Sequence, residues 1–272
     1  MDIKTITMNT INLQKIPSTL SAIKTIVLLE LERTFTHKQG LIYLLAFMAF
    51  WMFLLKYAVF SQTLMMMNQV LGADDLPSKL FANFFKVSMY LLPVLSLFIA
   101  ANQTGSDRER GTLRFMTLYC SRDAIFFARF MSQVIIHTVL IVFATISTLG
   151  FGMIQGELSL DATSYALIAA ANLALIILPF IALMAVLSAL VKSPRQATFY
   201  AGIIWSVASG VISLISHYFA PASALNILVP GMQFSQLGDL NGSAMFTLAY
   251  IPIFQCAVLL LLGREIMRRK SL

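Results

Sequence analysis

Apolar residues are concentrated in six long runs, which are separated by less apolar connections. A helix needs roughly 17 to 25 mainly apolar residues to cross a bilayer, and each run meets that requirement. The runs occupy residues 41–60, 84–101, 125–151, 164–191, 198–219 and 245–263. The pattern therefore predicts an all-α polytopic membrane protein, with a six-helix transmembrane domain over residues 41–263.

Residues 1–17 mix polar and apolar positions and lack the compact apolar core of a cleaved signal, so we expect the N-terminal segment, residues 1–40, to belong to the mature protein. Between Pro17 and Lys38, apolar residues recur every three or four positions, which is the spacing of one helix face. The apolar positions are Leu20, Ile23, Val27 and Leu31, whereas Lys24, Glu32 and Arg33 are polar. Because this stretch has only 22 residues and carries internal charges, we expect an amphipathic helix that lies in the membrane interface.

Basic residues are distributed unevenly between the two sides of the predicted membrane domain. Fifteen of the 19 lysines and arginines lie in the N-terminal segment, in the second-to-third and fourth-to-fifth connections, or in the tail 264–272, and a sixteenth, Arg129, lies near the start of the third run on the same side. Because cytoplasmic loops carry the excess of lysine and arginine, we expect both termini to be cytoplasmic, in a multi-pass protein of the inner (cytoplasmic) membrane. Lys79 and Lys86 fall on the outer side, and Lys56 is either an interfacial anchor or a pathway charge.

Composition supports the membrane assignment. The chain is 58% hydrophobic and only 11% charged, whereas soluble domains carry about 25% charged residues. The net charge of +7 follows from the basic cytoplasmic side, so it predicts contact with membrane lipids and not with nucleic acid. The two cysteines, Cys120 and Cys256, have neither the number nor the spacing of a disulfide framework or a structural zinc site.

The chain lacks a recognisable catalytic or metal-binding constellation. His37, His137 and His217 are predicted at different membrane depths, so one metal ion cannot easily collect them. Every acidic residue lies outside the six runs, which argues against an intramembrane protease and against a proton- or sodium-driven carrier. No GxxxxGK[ST] loop occurs, so we expect neither catalysis nor a nucleotide cofactor in this chain. The methionine run 65–67 could bind Cu(I), although an apolar outer segment is the simpler explanation.

Two features of the outer and central membrane domain leave alternatives open. Gly202, Ser206 and Gly210 recur at steps of four in the fifth run, and such stripes of small residues let helices approach closely. They indicate packing within the subunit, a dimer seam, or a moving wall of a pathway. The connection 220–244 before the sixth run is apolar enough to dip into the membrane or to form short outer helices.

The densest polar stretch, Asp107 to Arg129, lies between the second and third runs and carries a recognisable motif. It contains Glu109-Arg110-Gly111-Thr112-Leu113, eight residues before Ser121-Arg122. The motif resembles the cytoplasmic signature of ABC-2 type permeases, with Tyr119-Cys120 in place of the common Pro-Val and Arg114 where an acid is common. Glu30-Leu31-Glu32-Arg33 resembles the family's charged N-terminal helix, and the chain is similar in size to six-span permeases such as that of nitrous oxide reductase maturation.

The resemblance implies a half-transporter. Two six-span subunits, as a homodimer or with a related permease, would each rest on a separate cytoplasmic ATPase subunit that binds ATP and Mg²⁺. The polar stretch would be the coupling helix, and the second and fifth spans would face an export pathway that the outer connection caps. The implied ATPase contacts are Glu109, Arg110, Gly111, Thr112, Leu113, Met116, Ser121 and Arg122, with Glu30, Glu32 and Arg33 from the N-terminal helix. The alternative is an ion-coupled secondary carrier or channel-like protein without an ATPase partner.

Local physical chemistry is compatible with a docking helix at this place. Leu113, Met116 and Leu118 offer apolar anchors for a partner's cleft. Ser121 is expected to cap the third transmembrane helix, with Asp123 in its first turn. Arg114 and Arg129 are sufficiently explained by attraction to anionic lipid, at about 1 kcal/mol each.

Overall fold

The structure is a computed structural model that describes residues 19–36, 38–54, 79–155, 159–191, 193–219, 225–238 and 242–269. All regular secondary structure in these ranges is helical. The α-helices are α1 (Thr19–Thr36), α2 (Lys38–Leu54), α3 (Lys79–Ile99), α4 (Gly105–Glu109), α5 (Thr112–Tyr119), α6 (Arg122–Gln155), α7 (Leu160–Leu190), α8 (Pro194–Tyr218), α9 (Phe234–Gly238) and α10 (Tyr250–Arg269). The predicted all-α class is therefore confirmed for this part of the chain.

Four of these helices are long and apolar enough to cross a membrane, namely α6, α7, α8 and α10. They correspond to the third to sixth predicted spans, so the chain is a multi-pass membrane protein. The apolar parts of α2 and α3 are shorter, at Leu44–Leu54 and Phe84–Ile99. Residues 55–60, including Lys56, and the methionine run 65–67 lie outside the described residues, so six spans remain a prediction.

The long helices extend beyond the predicted apolar runs. Helix α6 begins at Arg122 instead of residue 125, and α10 continues to Arg269 instead of residue 263. Hydropathy marks only the lipid-facing length of a helix, whereas hydrogen bonding continues through charged turns into the interface. The starts of α7 and α8 are set by serine caps: Ser159 accepts from the Ala162 amide at 3.0 Å, and Ser193 accepts from the Gln196 amide at 3.4 Å.

Helix α7 is the centre of the bundle. It contacts α3, α6, α8 and α10, and it buries residues on every side, including Leu173, Ile176 and Phe180. Because neighbouring helices or lipid surround α7 on every side, its sequence needs no polar face. The remaining spans are arranged around α7, and their outer faces are left to lipid or to another subunit.

The N-terminal helix α1 lies along α6. It buries Ala22 and Ile26, and Ile23 and Val27 pack beside Ile26 against the first two turns of α6. Leu20, which the pattern assigned to the same face, is exposed. Helix α1 therefore covers most of the predicted stretch and has a buried face centred on Ile26, while its place in the membrane interface remains a prediction.

An outer segment, residues 225–238, reaches deep between the long helices. Trp205 of α8 donates from Nε1 to the Pro230 carbonyl at 2.7 Å, and Gln255 of α10 donates from Nε2 to the Ile227 carbonyl at 2.6 Å. Trp205 lies eleven residues from the start of α8, which is roughly 17 Å along the helix. The described part of this connection also contains the short helix α9, which agrees with the expectation of short helices, whereas its depth in a membrane remains a prediction.

The tightest approach in the bundle joins α6, α7 and α10 at Gly263. A Cβ atom placed on Gly263 would lie 2.5 Å from Phe126 Cζ and 3.1 Å from Val186 Cγ2. Phe126 is itself fully buried, so its ring has little space into which to move. The absence of a side chain at residue 263 therefore allows the three helices to meet.

We predict that Gly263→Ala lowers the free energy of unfolding by about 1–3 kcal/mol, because overpacking forces Phe126 off its rotamer. The measurement is denaturant unfolding of the purified protein in detergent. Gly210→Ala is the matched control, since no atom of the described residues lies within 4 Å of a Cβ at that helical position. The control should be neutral or more stable by up to about 1 kcal/mol. Equal stability of the two variants would contradict the packing described here.

Candidate functional site

The motif-bearing residues form a compact segment, 105–119, made of the two short helices α4 and α5. Gly111 joins them with a φ of +73°, in the left-handed region where only glycine avoids a steric cost. Arg110 beside it is exposed. The sequence Arg110-Gly111 therefore supplies the sharp turn that lets α5 leave the direction of α4.

Thr112 stabilises the turn from its other side. Its hydroxyl donates to the Asp107 carbonyl at 3.1 Å and lies 3.3 Å from Asp107 Oδ1. The bond connects the first residue of α5 to the middle of α4. It also holds the Asp107 carboxylate in place, which matters because that carboxylate is part of a buried charge cluster.

Arg129 is the centre of that cluster. It lies two turns into α6, roughly 10 Å from the start of the helix, and only 6% of the residue is exposed. Its Nη1 donates to Glu30 Oε1 of α1, and its Nη2 donates to Asp107 Oδ2 of α4. The Met116 sulfur of α5 lies 3.9 Å from Nη2. One guanidinium thus joins the N-terminal helix and the 105–119 segment to a membrane-spanning helix.

The burial of Arg129 corrects one interpretation of the sequence. We attributed this arginine to anionic lipid, but its side chain points into the protein and pairs with two carboxylates. A buried charge must be paired, because desolvation of an isolated ion costs several kcal/mol. Burial also raises the pKa of Asp107, and the hydrogen bond from Thr112 partly offsets that rise. Arg129 therefore supplies the positive charge that an ionised Asp107 needs at this position.

Helix α4 is also attached to the ends of α7 and α8. Arg108 donates from Nη1 to the Ala189 carbonyl at 2.6 Å and to the Val191 carbonyl at 3.4 Å, and burial lowers the pKa of Arg108. These carbonyls belong to the last turn of α7, where an arginine complements the helix dipole. A Cβ on Gly105 would lie 3.1 Å from the backbone nitrogen of Pro194, so α4 directly abuts the start of α8.

The second part of the motif lies at the junction of α6 and α10. The Ser121 hydroxyl accepts from the Ala124 amide at 3.1 Å, which confirms the predicted cap of this helix. Arg122 donates to the carbonyl of Arg268 at 3.1 Å, and Asp123 pairs with Arg264 at 2.9 Å. Ser121, Arg122 and Asp123 thus bind the end of the last helix to the start of α6.

The apolar residues of α5 divide between two faces. Leu113 is 2% exposed and packs in a cluster with Ile26 of α1, Phe126 of α6 and Met267 of α10, and Met116 is half-buried beside this cluster. Leu113 and Met116 therefore hold α5 onto its own subunit. This position differs from the sequence interpretation, in which both residues were anchors for a partner.

The opposite face of α5 is apolar and exposed. Phe115, Leu118 and Tyr119 are 68%, 76% and 75% exposed, and their spacing of three and four residues places them on one helix face. Of these three residues, only Leu118 was predicted from the sequence as an apolar anchor, and Tyr119 was noted only as a departure from the motif. The i, i+3, i+4 spacing of the three residues was the available signal for the complete face. Contiguous exposed apolar residues on a short helix outside the long spans are typical of an interaction site.

The remaining predicted residues lie at several places. Glu32 and Arg33 are exposed on α1, and Arg33 Nη1 lies 3.9 Å from Glu30 Oε1. Glu109 ends α4, but its side chain lies outside the described residues. On α8, a Cβ at Gly202 or Gly210 would meet nothing within 4 Å among the described residues. Within the described ranges, no three histidine, cysteine or acidic side chains gather as a metal site.

Comparison with known proteins identifies one family. A family model described as "ABC-2 family transporter protein" matches residues 14–265 of the chain. The match covers more than nine tenths of the sequence, including the 105–119 segment and every long helix described above. None of the curated proteins matches the chain significantly.

We predict that Arg129→Met lowers the free energy of unfolding by about 3–5 kcal/mol, because Glu30 and Asp107 both lose the cation to which they are bonded, and only the more exposed Arg33, 3.9 Å from Glu30, remains nearby. Combining it with Glu30→Gln and Asp107→Asn should recover most of that loss, since the triple variant buries no unpaired charge. Denaturant unfolding in detergent measures both effects. A single variant as stable as the unmodified protein would contradict the buried pairing.

Proposed function

Because the chain belongs to the ABC-2 family of transporter proteins, we propose that it is a permease subunit whose substrate movement is driven by ATP hydrolysis in a separate ATPase subunit. The 105–119 segment is the docking element for that ATPase. The observation that carries this proposal is the exposed apolar face of α5, mounted on a segment that is joined to several membrane helices.

The face fits a helix-in-groove contact. Phe115, Leu118 and Tyr119 together present two aromatic rings and one branched aliphatic chain on a helix of eight residues. Aromatic anchors surrounded by polar groups are the usual hot spots of protein interfaces, since their burial excludes water from neighbouring hydrogen bonds. Arg114, exposed beside them, belongs to the polar rim of such a contact.

The mounting of the segment supports a coupling role beyond simple adhesion. Arg108 binds the end of α7, Gly105 abuts the start of α8, and Asp107 pairs with Arg129 of α6. A displacement of α5 by the ATPase is therefore applied to three membrane helices at once. Helices packed in this way move as rigid bodies, because their close-packed interiors do not deform continuously.

Several further elements of the proposal rest on the charge distribution and the family. The excess of lysine and arginine supports cytoplasmic termini in an inner (cytoplasmic) membrane, with the 105–119 segment on the same side. ATP and Mg²⁺ bind to the partner ATPase, and transport is outward. A second permease copy covers α8 along Gly202, Ser206 and Gly210, where the described part of this chain places no atom within 4 Å of a Cβ on either glycine. A homodimer and a pair with a related permease both satisfy this requirement, and the subgroup resemblance stays a prediction.

The ion-coupled carrier is less well supported. Coupling to protons or sodium commonly requires acidic residues within the membrane, and no acid lies in the six apolar runs. Glu30 and Asp107, whose side chains are mostly buried, are both paired with Arg129 near the start of α6. They serve the attachment of the segment and α1, and they do not form a relay across the membrane.

We predict that Phe115→Ala combined with Leu118→Ala weakens binding of the ATPase subunit at least about tenfold, because two interface anchors are removed. The ATPase that co-purifies with the unmodified chain is titrated onto the purified variant, and its stimulated ATP hydrolysis is measured in parallel. The variant's own stability should be nearly unchanged, since both side chains are exposed in the isolated subunit.

Leu160→Ala is the control for the loss of an exposed leucine elsewhere. Leu160 is 90% exposed at the start of α7, at the opposite end of that helix from the 105–119 segment. It should leave ATPase binding unchanged. If the double variant bound the ATPase as tightly as this control, the docking face would be assigned wrongly.

A further inference from the structure

We propose that Arg129 is a positioning residue that links the 105–119 segment to the N-terminal helix α1, so that movement of the segment is passed to α1 as well as to the long helices. This inference rests on the proposed function, since the ATPase supplies the movement. It assigns to α1 a part in the conformational change, through the side chain of a residue that belongs to neither α1 nor the 105–119 segment.

The geometry of the link is specific. Glu30 receives Nη1 and Asp107 receives Nη2, so each carboxylate is bonded to its own nitrogen of one planar group. A guanidinium is rigid and holds its donors in a fixed fork, so its two carboxylates cannot move independently without breaking a bond. Displacement of Asp107 must therefore either carry the guanidinium and Glu30 with it or lose a charge-assisted hydrogen bond.

Burial makes the link strong enough to matter. The Arg129, Asp107 and Glu30 side chains are only 7%, 12% and 17% exposed, so solvent screens their interaction weakly. An exposed pair between the same helices would contribute almost nothing measurable. Breaking one arm of this cluster exposes a buried charge to an apolar surrounding, which favours concerted movement over rupture.

Apolar packing between α1 and the segment does not replace the link. Ile26 of α1 and Leu113 of α5 lie in one cluster, which provides adhesion without fixing a direction. The two hydrogen bonds to Arg129 add direction, because they fix which residue of α1 faces which residue of α4. The ion cluster thus sets the register between two elements that are 77 residues apart at Glu30 and Asp107.

The charge balance allows the two arms to be separated experimentally. The cluster contains two carboxylates and one guanidinium, so neutralising either acid leaves Arg129 paired with the other. Glu30→Gln removes the charged hydrogen bond to α1, and Asp107→Asn removes the charged hydrogen bond to the segment. In each variant the guanidinium loses one of its two fixed partners, so the element that is still bonded to it should also be held less firmly. Neither variant leaves an unpaired buried cation, so both should fold.

Hydrogen exchange of the isolated chain tests the link directly. We expect Asp107→Asn to speed amide exchange in α1, and Glu30→Gln to speed it in the 105–119 segment, each about tenfold because one charged hydrogen bond is lost from the shared cluster. Glu265→Gln is the control, because it breaks an exposed carboxylate–arginine pair on α10. It should change exchange in neither element. Effects confined to the mutated element, with the other element unchanged, would overturn the inference.

A second experiment uses the complex with the co-purified ATPase. Spin labels at exposed Leu29 of α1 and Leu167 of α7 report the position of α1 when Mg²⁺ and a non-hydrolysable ATP analogue are added. The distance change in the unmodified complex should fall by at least half in Glu30→Ala, which removes the acceptor, and should persist in Glu265→Gln. An unchanged response in Glu30→Ala would overturn the inference. Failure of the unmodified chain to bind any ATPase would instead contradict the proposed function, while the isolated-chain exchange would still decide the link.

Discussion

The organisation of the described structure depends on the requirement that a charge buried in a membrane helix be paired. Arg129 lies two turns inside α6, where neither water nor lipid headgroups surround its side chain. Its two hydrogen bonds bring Glu30 and Asp107 to one point, and with them α1 and the 105–119 segment. Arg108 and Arg122 repeat the principle at helix ends, where each binds backbone carbonyls that the helix leaves unsatisfied. One side of the bundle is thereby held together by arginines, although the chain as a whole is poor in charge.

The opposite part of the bundle is held by different forces. Residues 225–238 are fixed by the Trp205 and Gln255 hydrogen bonds and by Phe234, whose ring stacks on Phe180 and meets Tyr90 edge-on. These contacts satisfy backbone carbonyls of an irregular segment that packs between apolar helices, where an unpaired backbone polar group would be costly. Charge pairing dominates around the 105–119 segment, whereas aromatic packing and single hydrogen bonds dominate around the outer segment.

Much of this arrangement could be predicted from sequence, and the remainder could not, for identifiable physical reasons. Hydropathy located the four long helices because each has to match a bilayer, and the Ser121 cap followed from a local rule that needs only neighbouring residues. The partners of Arg129 were not predictable, since Glu30 is 99 residues away in the sequence and Asp107 is 22 residues away. Which residues of α5 face the subunit depends on the rotation of the helix about its axis, and sequence spacing alone does not determine that rotation. In the structure Leu113 is buried and Phe115 is exposed.

The two faces of α5 have a consequence for how this region can vary. Gly111 fixes the start of α5 and Ser121 caps the next helix, α6, while Leu113 seats α5 on the subunit and Leu118 points away from it. Inserting or deleting one residue between Gly111 and Ser121 would rotate every later side chain by about 100° about the helix axis. The exposed apolar face would then turn toward the membrane helices, and polar positions would take its place. The number of residues from Gly111 to Ser121 is consequently under tighter constraint than their identity, and homologous chains should differ here by substitution more readily than by length.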